Sequence, residues 1–360
     1  MKRVFISDCE GPISKNDNAF EVTSHFVPAG DKIFSITSRY DDVLSDLAKK
    51  PGYNAGDTLK LVVPFLKAYD VTDQLVREFS ARNLVLIPDV KNTLEQVRDK
   101  APIYIVSTSY EHYIEALCQA IGFPFGNTYC TKLSLDKYEL KEQERNQLKK
   151  IGREIAEMQI FEIPQGANSL KDLPFKTQVT IHRLDEIFWV AIEKMQIGKI
   201  YSEVNPIGGA EKAEAVKDVT RRLPTTLADV MYVGDSITDK EAFRLVKENG
   251  GLTVSFNGNQ YAVENADIAV MSPDSAVTAV LAETFVRSGK RETLELVADW
   301  NRQTLASSSV DDNLKKWFFQ LHPHELPKAK IVSTENMGKL AKESSEFRKK
   351  VRGEAVGRLG

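Results

Sequence analysis

Five short apolar runs constrain what this chain can fold into more than any other feature of its sequence. Each run is continuously apolar and rich in β-branched residues, and each ends in or is followed by polar residues. Strands that are buried on both faces of a parallel sheet have this pattern, whereas half-buried strands alternate. Amphipathic helical stretches separate the runs, so we predict a doubly wound α/β fold with a Rossmann-like parallel sheet. The runs are residues 4–7, 103–107, 230–234, 252–256 and 268–271.

Two long intervals interrupt this alternation. Residues 13–85 and 132–199 contain helical patterns punctuated by proline and glycine, and a chain of 360 residues is long enough for more than one domain. We interpret both intervals as helical caps inserted into one core domain. Residues 285–360 follow the last predicted strand and are expected to form a helical C-terminal extension. The core domain is predicted to consist of residues 1–12, 86–131 and 200–284.

The end of the extension is basic, although the whole chain has a net charge of −3. Residues 328–360 contain nine lysines and arginines against four glutamates. This composition is typical of a flexible basic tail, and it also allows a tail that docks on an acidic protein partner or on nucleic acid. Because the chain as a whole is slightly acidic, we do not expect a nucleic-acid-binding protein.

Cysteine content and hydropathy indicate a cytoplasmic protein. The three cysteines, Cys9, Cys118 and Cys130, are widely spaced, which predicts neither a disulfide framework nor a zinc site. The first predicted strand begins at Val4 and leaves no room for a signal peptide. No apolar run approaches the ~18 residues that a membrane span needs, so we expect no membrane span.

Polar residues at the ends of the predicted strands carry the functional prediction. Because the carboxyl ends of parallel strands meet in one crevice, we expect these residues to lie close together. Asp8 follows the first strand, and Asp235 and Asp239 follow the strand at 230–234. Carboxylate oxygens are the ligands that Mg²⁺ prefers. The sequence therefore predicts a magnesium site at this edge of the sheet.

A magnesium site of this composition suits phosphoryl chemistry. Asp8 could attack a phosphate and form an aspartyl-phosphate, which splits one difficult hydrolysis into two easier steps. Glu10 could protonate the leaving group and later activate water. Ser107 and Lys212 would bind the phosphoryl oxygens, and Thr108 is a second hydroxyl for that role.

The ordered motifs resemble those of a known family. VFISDCEGP, IYIVSTS, the Lys212 that precedes AEAV, and VMYVGDSITD are similar to the four motifs of the haloacid dehalogenase (HAD) superfamily of phosphohydrolases. The resemblance implies the roles given above for these residues and also places the Glu10 carbonyl on Mg²⁺. GLTVSFNGNQYAVENADIAV resembles the following region of phosphoserine-phosphatase-like members, which implies a substrate role for Asn257. More loosely, the whole chain resembles an archaeal HAD group known as subunit R of an energy-converting hydrogenase.

The chain departs from the family pattern at three places. Glu10 stands where an aspartate is usual, which lengthens the reach of the acid. Pro12 stands where threonine or valine is usual and removes a backbone donor. Thr108 and Ser109 replace the small glycines that often follow the serine, so the phosphate pocket is expected to be narrower.

These observations predict a Mg²⁺-dependent phosphatase that acts on a small phosphorylated metabolite. The caps would exclude water and select the substrate, with Arg39 in the first cap as a possible substrate ligand. Two alternatives use the same residues. One is transfer of the phosphoryl group to an alcohol acceptor. The other is a regulatory or assembly subunit, associated with a hydrogenase, which binds a protein partner through its basic tail.

Overall fold

A seven-stranded sheet organises the described part of the chain. The computed structural model describes residues 2–164 and 166–359; Met1, Gln165 and Gly360, which belong to the predicted core, second cap and extension, lie outside it. The order of strands is β3-β2-β1-β4-β5-β6-β7, and all neighbours are parallel except β6 and β7. The predicted doubly wound fold is confirmed. The strands are β1 (Val4–Ser7), β2 (Ile103–Tyr110), β3 (Thr128–Thr131), β4 (Val230–Gly234), β5 (Leu252–Phe256), β6 (Ile268–Met271) and β7 (Lys328–Ile331).

Helices occupy most of the remaining chain, and no helix within the described residues is both long and apolar enough to cross a membrane. Helix α2 continues into a π-helical segment at Val43–Leu47, and α8 into another at Ile187–Ile192. The α-helices are α1 (Asn18–Phe26), α2 (Gly30–Asp42), α3 (Thr58–Ala68), α4 (Asp73–Asn83), α5 (Val90–Arg98), α6 (Glu111–Ile121), α7 (Glu142–Glu157), α8 (Phe175–Glu186), α9 (Ile200–Glu203), α10 (Ala210–Arg222), α11 (Lys240–Glu248), α12 (Gln260–Asn265), α13 (Ala276–Ser288), α14 (Lys290–Ala298), α15 (Arg302–Ser307), α16 (Asp312–Leu321), α17 (Met337–Arg352) and α18 (Glu354–Gly357).

Burial on both faces explains why the central strands are continuously apolar. Along β1, Val4 and Ile6 belong to a hydrophobic cluster formed with α10, α11 and α12. Phe5 points to the opposite face and belongs to a second cluster, formed with α5, α6 and α13. Every side chain of β1 is buried, so neither face of the strand selects polar residues.

The order of strands defines a crevice at the centre of the sheet. Strand β1 pairs with β2 on one side and with β4 on the other, so the chain builds the sheet outward in two directions from β1. The backbone N–H of Asp8 donates to the carbonyl of Val233 at 2.8 Å, which fixes the end of β1 beside the end of β4. In open α/β sheets, ligands bind at this point of reversal.

Two strands were not predicted, and both lie at an edge of the sheet. Strand β3 has the sequence TYCT and β7 has the sequence KAKI, so neither contains a long apolar run. An edge strand is paired on one side only and does not require apolar residues throughout. The prediction that β6 is the last strand is wrong, since β7 of the C-terminal extension pairs antiparallel with β6.

The two predicted caps pack against each other. One hydrophobic cluster combines residues of the first interval, such as Tyr40 and Phe65, with residues of the second, such as Leu148 and Phe188. The ring of Phe188 stacks on Tyr40 with centroids 5.6 Å apart and meets Phe65 at 6.4 Å. We infer that the two intervals form one cap body, while the predicted domain boundaries stay a prediction.

The basic end of the chain is folded onto the core. Helix α17 buries Leu340 and Ala341 in a cluster with Val263, Ala269 and Met271 of α12 and β6. Helix α17 is therefore not the flexible tail that the composition of this segment suggested. Its lysines and arginines divide between an exposed face and a buried face, and the buried face reaches the crevice.

Replacing Phe188 with alanine tests whether the shared cluster stabilises the cap. Because Phe188 is fully buried between residues of both intervals, we expect Phe188→Ala to lower the free energy of unfolding by about 3–5 kcal/mol. Chemical denaturation followed by tryptophan fluorescence measures the change. The matched control is Phe175→Ala, because Phe175 is 81% exposed and its truncation should have little effect. Equal effects of the two substitutions would contradict the shared cluster.

Candidate functional site

Three buried aspartates meet at the carboxyl ends of β1 and β4. Asp8 directly follows β1, Asp235 directly follows β4, and Asp239 lies one turn further along the chain. One carboxylate oxygen from each residue lies within 4.8 Å of those from the other two. The structure thus brings together the three side chains that the sequence analysis assigned to magnesium.

Lys212 lies within this acidic cluster. Its Nζ is 2.7 Å from Oδ2 of Asp8 and 2.7 Å from Oδ1 of Asp239, and its side chain is fully buried. Burial alone lowers the pKa of Lys212, but the charges of Asp239 and Asp8 outweigh burial and raise the pKa above its ordinary value. Lys212 is therefore a permanent cation that contacts the side chain predicted to be the nucleophile.

Asp239 is held by hydrogen bonds on both of its carboxylate oxygens. Oδ1 accepts from Lys212 and, at 2.7 Å, from the hydroxyl of Tyr232. Oδ2 accepts from the backbone N–H of Asp235 at 2.9 Å and of Ser236 at 3.0 Å. Together with the Ser236 side chain, these bonds form a capping box that shapes the turn after β4. Asp239 is therefore an anchor of the loop that carries Asp235.

The environment of Asp8 favours a bound cation. Its Oδ1 accepts from the backbone N–H of Cys9 at 2.6 Å, and its Oδ2 pairs with Lys212. Burial, which outweighs the opposing charge of Lys212 and is reinforced by Asp239 and Asp235, raises the pKa of Asp8 to about 7. A cation added to the cluster would favour the ionised form, which is the form that can attack phosphorus.

Glu10 lies in the same crevice, in an environment that favours its protonated form. Its Oε1 accepts from the backbone N–H of Asn18 at the start of α1, at 2.7 Å. Burial, with a further contribution from the charge of Asp17, raises the pKa of Glu10 well above its ordinary value. Asp17 itself caps α1 by accepting from the N–H of Phe20 at 3.0 Å. A carboxyl group with a raised pKa is suited to donate a proton to a leaving group.

Three hydroxyl groups follow one another at the end of β2. Ser107 is buried, and its Oγ accepts from the backbone N–H of Ser109 at 3.2 Å. Thr108 donates to the carbonyl of Ile207 at 3.0 Å and lines the cavity beside Asp8. The Oγ of Ser109 is buried, lines the same cavity and has no hydrogen-bond partner among the described residues. Ser109 is therefore an additional donor for a phosphate, which its position at a strand end could have indicated.

A small cavity joins these groups to the cap and to the C-terminal extension. Its volume is about 90 Å³, which is below the ~300–1,000 Å³ typical of ligand pockets. The cap contributes Asp41, whose pKa burial and the charge of Asp42 raise well above its ordinary value. The extension contributes Leu359 and two arginines. The charged residues that line the cavity are Asp8, Glu10, Asp17, Asp41, Asp42, Asp235, Arg348 and Arg352.

The two residues predicted with a substrate role lie elsewhere. Asn257 is buried and exchanges two hydrogen bonds with the backbone of Ser272, at 2.8 and 2.9 Å, so its amide links β5 to the segment after β6. Arg39 pairs with Asp42 at 3.2 Å and donates to the carbonyl of Arg358 at 2.9 Å. Neither side chain lines the cavity around Asp8. Their substrate roles are not supported by this arrangement.

Arg348 and Arg352 are the cations among the described residues that line the cavity, and the sequence analysis assigned neither of them. Both belong to α17, and their spacing of four residues places them on one face of the helix. The same spacing occurs on any solvated basic helix, so the sequence contains no signal that separates them from the exposed lysines nearby.

A solved structure is similar to this chain over its whole length. No protein-family model matches the sequence, and no curated protein matches it significantly. The structure of a gene product from Archaeoglobus fulgidus is 26% identical to this chain with a TM-score of 0.79. The match covers 100% of this chain and 99% of that chain. The architecture described above, including the caps and the C-terminal extension, therefore recurs in that protein.

More distant structural neighbours are phosphatases and HAD-like proteins. Phosphoserine phosphatase in its apo form is 14% identical with a TM-score of 0.43, over 81% of this chain and 100% of that chain. A haloacid dehalogenase-like protein of unknown function from Agrobacterium tumefaciens is 13% identical with a TM-score of 0.34, over 78% and 98%.

A glycine beside Asp235 gives a first test of the site geometry. Gly11 has φ +105°, and a Cβ added there would lie 2.1 Å from Oδ2 of Asp235. We expect Gly11→Ala to destabilise the protein by about 1–3 kcal/mol, because the loop or Asp235 must move. Thermal and chemical unfolding measure the effect. The control is Gly126→Ala, where an added Cβ meets no atom within 4 Å. A stable Gly11→Ala protein would show that the loop after β1 is not packed as described.

Removing the buried cation gives a second test. Lys212→Met leaves the carboxyl groups of Asp8 and Asp239 without a counter-charge, so we expect a loss of about 3–5 kcal/mol. The loss should grow as pH rises above about 7. Asp8 of the folded wild type, with a pKa of about 7, is ionised there and adds no further pH dependence, whereas without Lys212 the pKa of Asp8 is higher and the variant continues to lose stability as pH rises.

Unfolding free energies at several pH values measure this dependence. Lys217→Met on the same helix is the matched control, because the side chain of Lys217 is 43% exposed and its ion pair among the described residues is with Glu214. A pH-independent loss of stability in Lys212→Met would contradict the assigned ion pairs.

Proposed function

We propose that this protein is a Mg²⁺-dependent phosphatase of the HAD type that hydrolyses a small phosphorylated metabolite through an aspartyl-phosphate on Asp8. The observation that carries the proposal is the buried cluster of Asp8, Asp235 and Asp239, with Lys212 between two of them and Glu10 in the same crevice. A buried group of three carboxylates needs cations to offset its charge, and the strand ends where it lies are the usual position of a reaction centre in this fold.

The donor set of the cluster fits magnesium. Asp8 and Asp235 would hold the ion with the carbonyl of Glu10, and Asp239 would fix the loop between them. Among the described residues, none donates a hydrogen bond to Oδ1 of Asp235, so that oxygen is available as a ligand. Bound Mg²⁺ would offset the charge of the phosphate and of Asp8, which otherwise repel each other.

Each side chain of the site has its own role in the proposed reaction. The ionised carboxylate of Asp8 attacks phosphorus, and the bond from phosphorus to the substrate oxygen breaks. Glu10, which holds its proton, donates it to the departing oxygen and then accepts a proton from the water that hydrolyses the aspartyl-phosphate. Lys212 stabilises the carboxylate of Asp8, and the hydroxyl groups of Ser107 and Ser109 are the donors for the phosphoryl oxygens. Thr108 would join them only by giving up its hydrogen bond to the carbonyl of Ile207.

The cap would control access to the reaction centre. A cavity of about 90 Å³ has room for a phosphoryl group but not for the rest of a metabolite. Substrate entry therefore requires the cap to move away from the core, and its return excludes water from the reaction centre.

Two other functions stay hypotheses. Phosphoryl transfer to an alcohol acceptor would use the same aspartyl-phosphate. A regulatory or assembly role in a hydrogenase is motivated by the resemblance of the whole chain to subunit R and by the exposed lysines of α17, such as Lys339, which is 80% exposed. Pull-down from native extract with wild type and Lys339→Glu tests the second role, and the absence of any partner would contradict it.

Phosphate release tests the phosphatase. We expect turnover of p-nitrophenyl phosphate and of some members of a panel of phosphorylated metabolites with Mg²⁺, and none with EDTA. Asp8→Asn should abolish turnover because the nucleophile is lost. Glu10→Gln should lower kcat by ~10²–10⁴-fold because the proton donor is lost.

The matched control is Asp31→Asn, because Asp31 is an exposed aspartate of the cap and its substitution should leave turnover unchanged. Normal turnover by Asp8→Asn would contradict the proposal. Less phosphate released than substrate consumed, with an alcohol present, would indicate transfer rather than hydrolysis.

A further inference from the structure

Two arginines of the C-terminal helix contact Asp235 in the proposed metal site. Nη1 of Arg348 bonds Oδ2 of Asp235 and also donates to the carbonyl of Asp235 at 3.1 Å. Nη1 of Arg352 bonds the same Oδ2 at 2.9 Å. Both arginine side chains are 3% exposed, so these ion pairs are shielded from solvent. Arg348 and Arg352 are called the arginine pair below.

The arginine pair also fixes the loop that follows β1. Nε of Arg352 donates to the carbonyl of Lys15 at 2.9 Å, and its Nη2 donates to the carbonyl of Asn16. The loop that contains these carbonyls begins with Asp8 and Glu10. One guanidinium group therefore connects the loop after β1 with Asp235 of the loop after β4.

The position of α17 is itself determined by the core. Ser344, one turn before Arg348, donates from its buried hydroxyl to the carbonyl of Gly258 at 2.6 Å. The apolar contacts of Leu340 and Ala341 with β6 hold the preceding turn. The arginine pair consequently reaches the crevice from a rigid element rather than from a mobile end of the chain.

The two oxygens of Asp235 have different surroundings. Oδ2 accepts from both arginines, while Oδ1 accepts no hydrogen bond from the described residues. Gly11 packs so closely against Oδ2 that even a Cβ would overlap it. These contacts prevent the carboxylate from rotating, and they leave its Oδ1 available to bind a ligand.

We propose that Arg348 and Arg352 are positioning residues of the active site, which orient Asp235 so that its Oδ1 binds the metal. The inference rests on the proposed function and adds that the C-terminal extension completes the site. Partners that hydrogen-bond a metal-binding carboxylate orient it, and their loss typically weakens metal binding by ~10–100-fold.

The charges of the site are compatible with a metal in addition to the arginine pair. Five carboxyl groups surround the crevice on the core side, and the cations that face them are Lys212 and the arginine pair. With Glu10 protonated, as the proposed reaction requires, ionisation of the four aspartates leaves one negative charge, and this excess attracts a divalent cation. The five are Asp8, Glu10, Asp17, Asp235 and Asp239.

The opposite role would be competition, in which the guanidinium groups take the place of the metal on Asp235. The two roles predict opposite changes in metal affinity. Loss of a positioning residue weakens metal binding, whereas loss of a competing cation strengthens it.

Metal binding by the full-length protein distinguishes these roles. Free Mn²⁺ is measured by electron paramagnetic resonance during titration of wild type, Arg348→Met and Arg352→Met. We expect each substitution to raise the Kd for Mn²⁺ by about 10-fold or more. The control is Lys350→Met, which removes an exposed cation from the same helix and should leave the Kd unchanged.

Lysine variants test whether a change in the Kd for Mn²⁺ reflects only a loss of folding. Arg348→Lys and Arg352→Lys keep the charge but lose the planar fork of donors, so we expect folded proteins with an intermediate Kd. Circular dichroism and unfolding curves of each apo variant establish that the compared proteins are folded. The activity should fall at low Mg²⁺ and recover partly at high Mg²⁺.

Two results would overturn the inference. An unchanged Kd in both methionine variants would mean that the arginine pair is structural only, and a lower Kd would identify the arginines as competing cations. In both cases wild type would still bind Mn²⁺ and release phosphate, so the proposed function would survive. A wild type that binds no Mn²⁺ and releases no phosphate would overturn both proposals.

Discussion

The ion pairs of Lys212 are the interactions on which the rest of the site depends. A buried lysine is tolerated only where its charge is offset, and here the offset comes from Asp8 and Asp239, which belong to different strand ends. The same contacts join α10 to β1 and to the turn after β4. Because Asp239 also shapes that turn through its capping box, the backbone position of Asp235 depends on the aspartate that Lys212 holds. One cation thus links the geometry of three separate segments.

The sequence predicted the centre of the fold but not its edges. Strands β1, β2, β4, β5 and β6 lie between two layers of helices, and burial on both faces produces the apolar runs that identified them. Strands β3 and β7 are paired on one side only, so their sequences alternate or are too short to stand out. Contacts between the two caps could not be predicted either. An amphipathic pattern shows that a helix has a buried face, but it does not show which segment covers that face.

Prediction of the site residues from the sequence was limited for a similar physical reason. Asp8 and Asp235 could be placed together because parallel strands bring their carboxyl ends to one edge, and Lys212 could be added because it is a cation in the segment where α10 begins. Arg348 could not, since it reaches the crevice through long-range packing of a helix whose composition is that of a solvated surface. A related limit applies to Asn257, whose substrate role stays a prediction. Its position after a strand was correct, but its amide satisfies backbone groups of a neighbouring segment instead of facing the cavity.

The contact of Arg352 with Asn16 joins residues that are 336 positions apart. During synthesis the loop after β1 is made well before α17. The loop therefore stays without these hydrogen bonds until α17 has been made, and contacts of such sequence separation form late because chain closure is entropically costly. The crevice is incomplete until that contact forms. The strands near β1 can therefore fold before α17 completes the crevice.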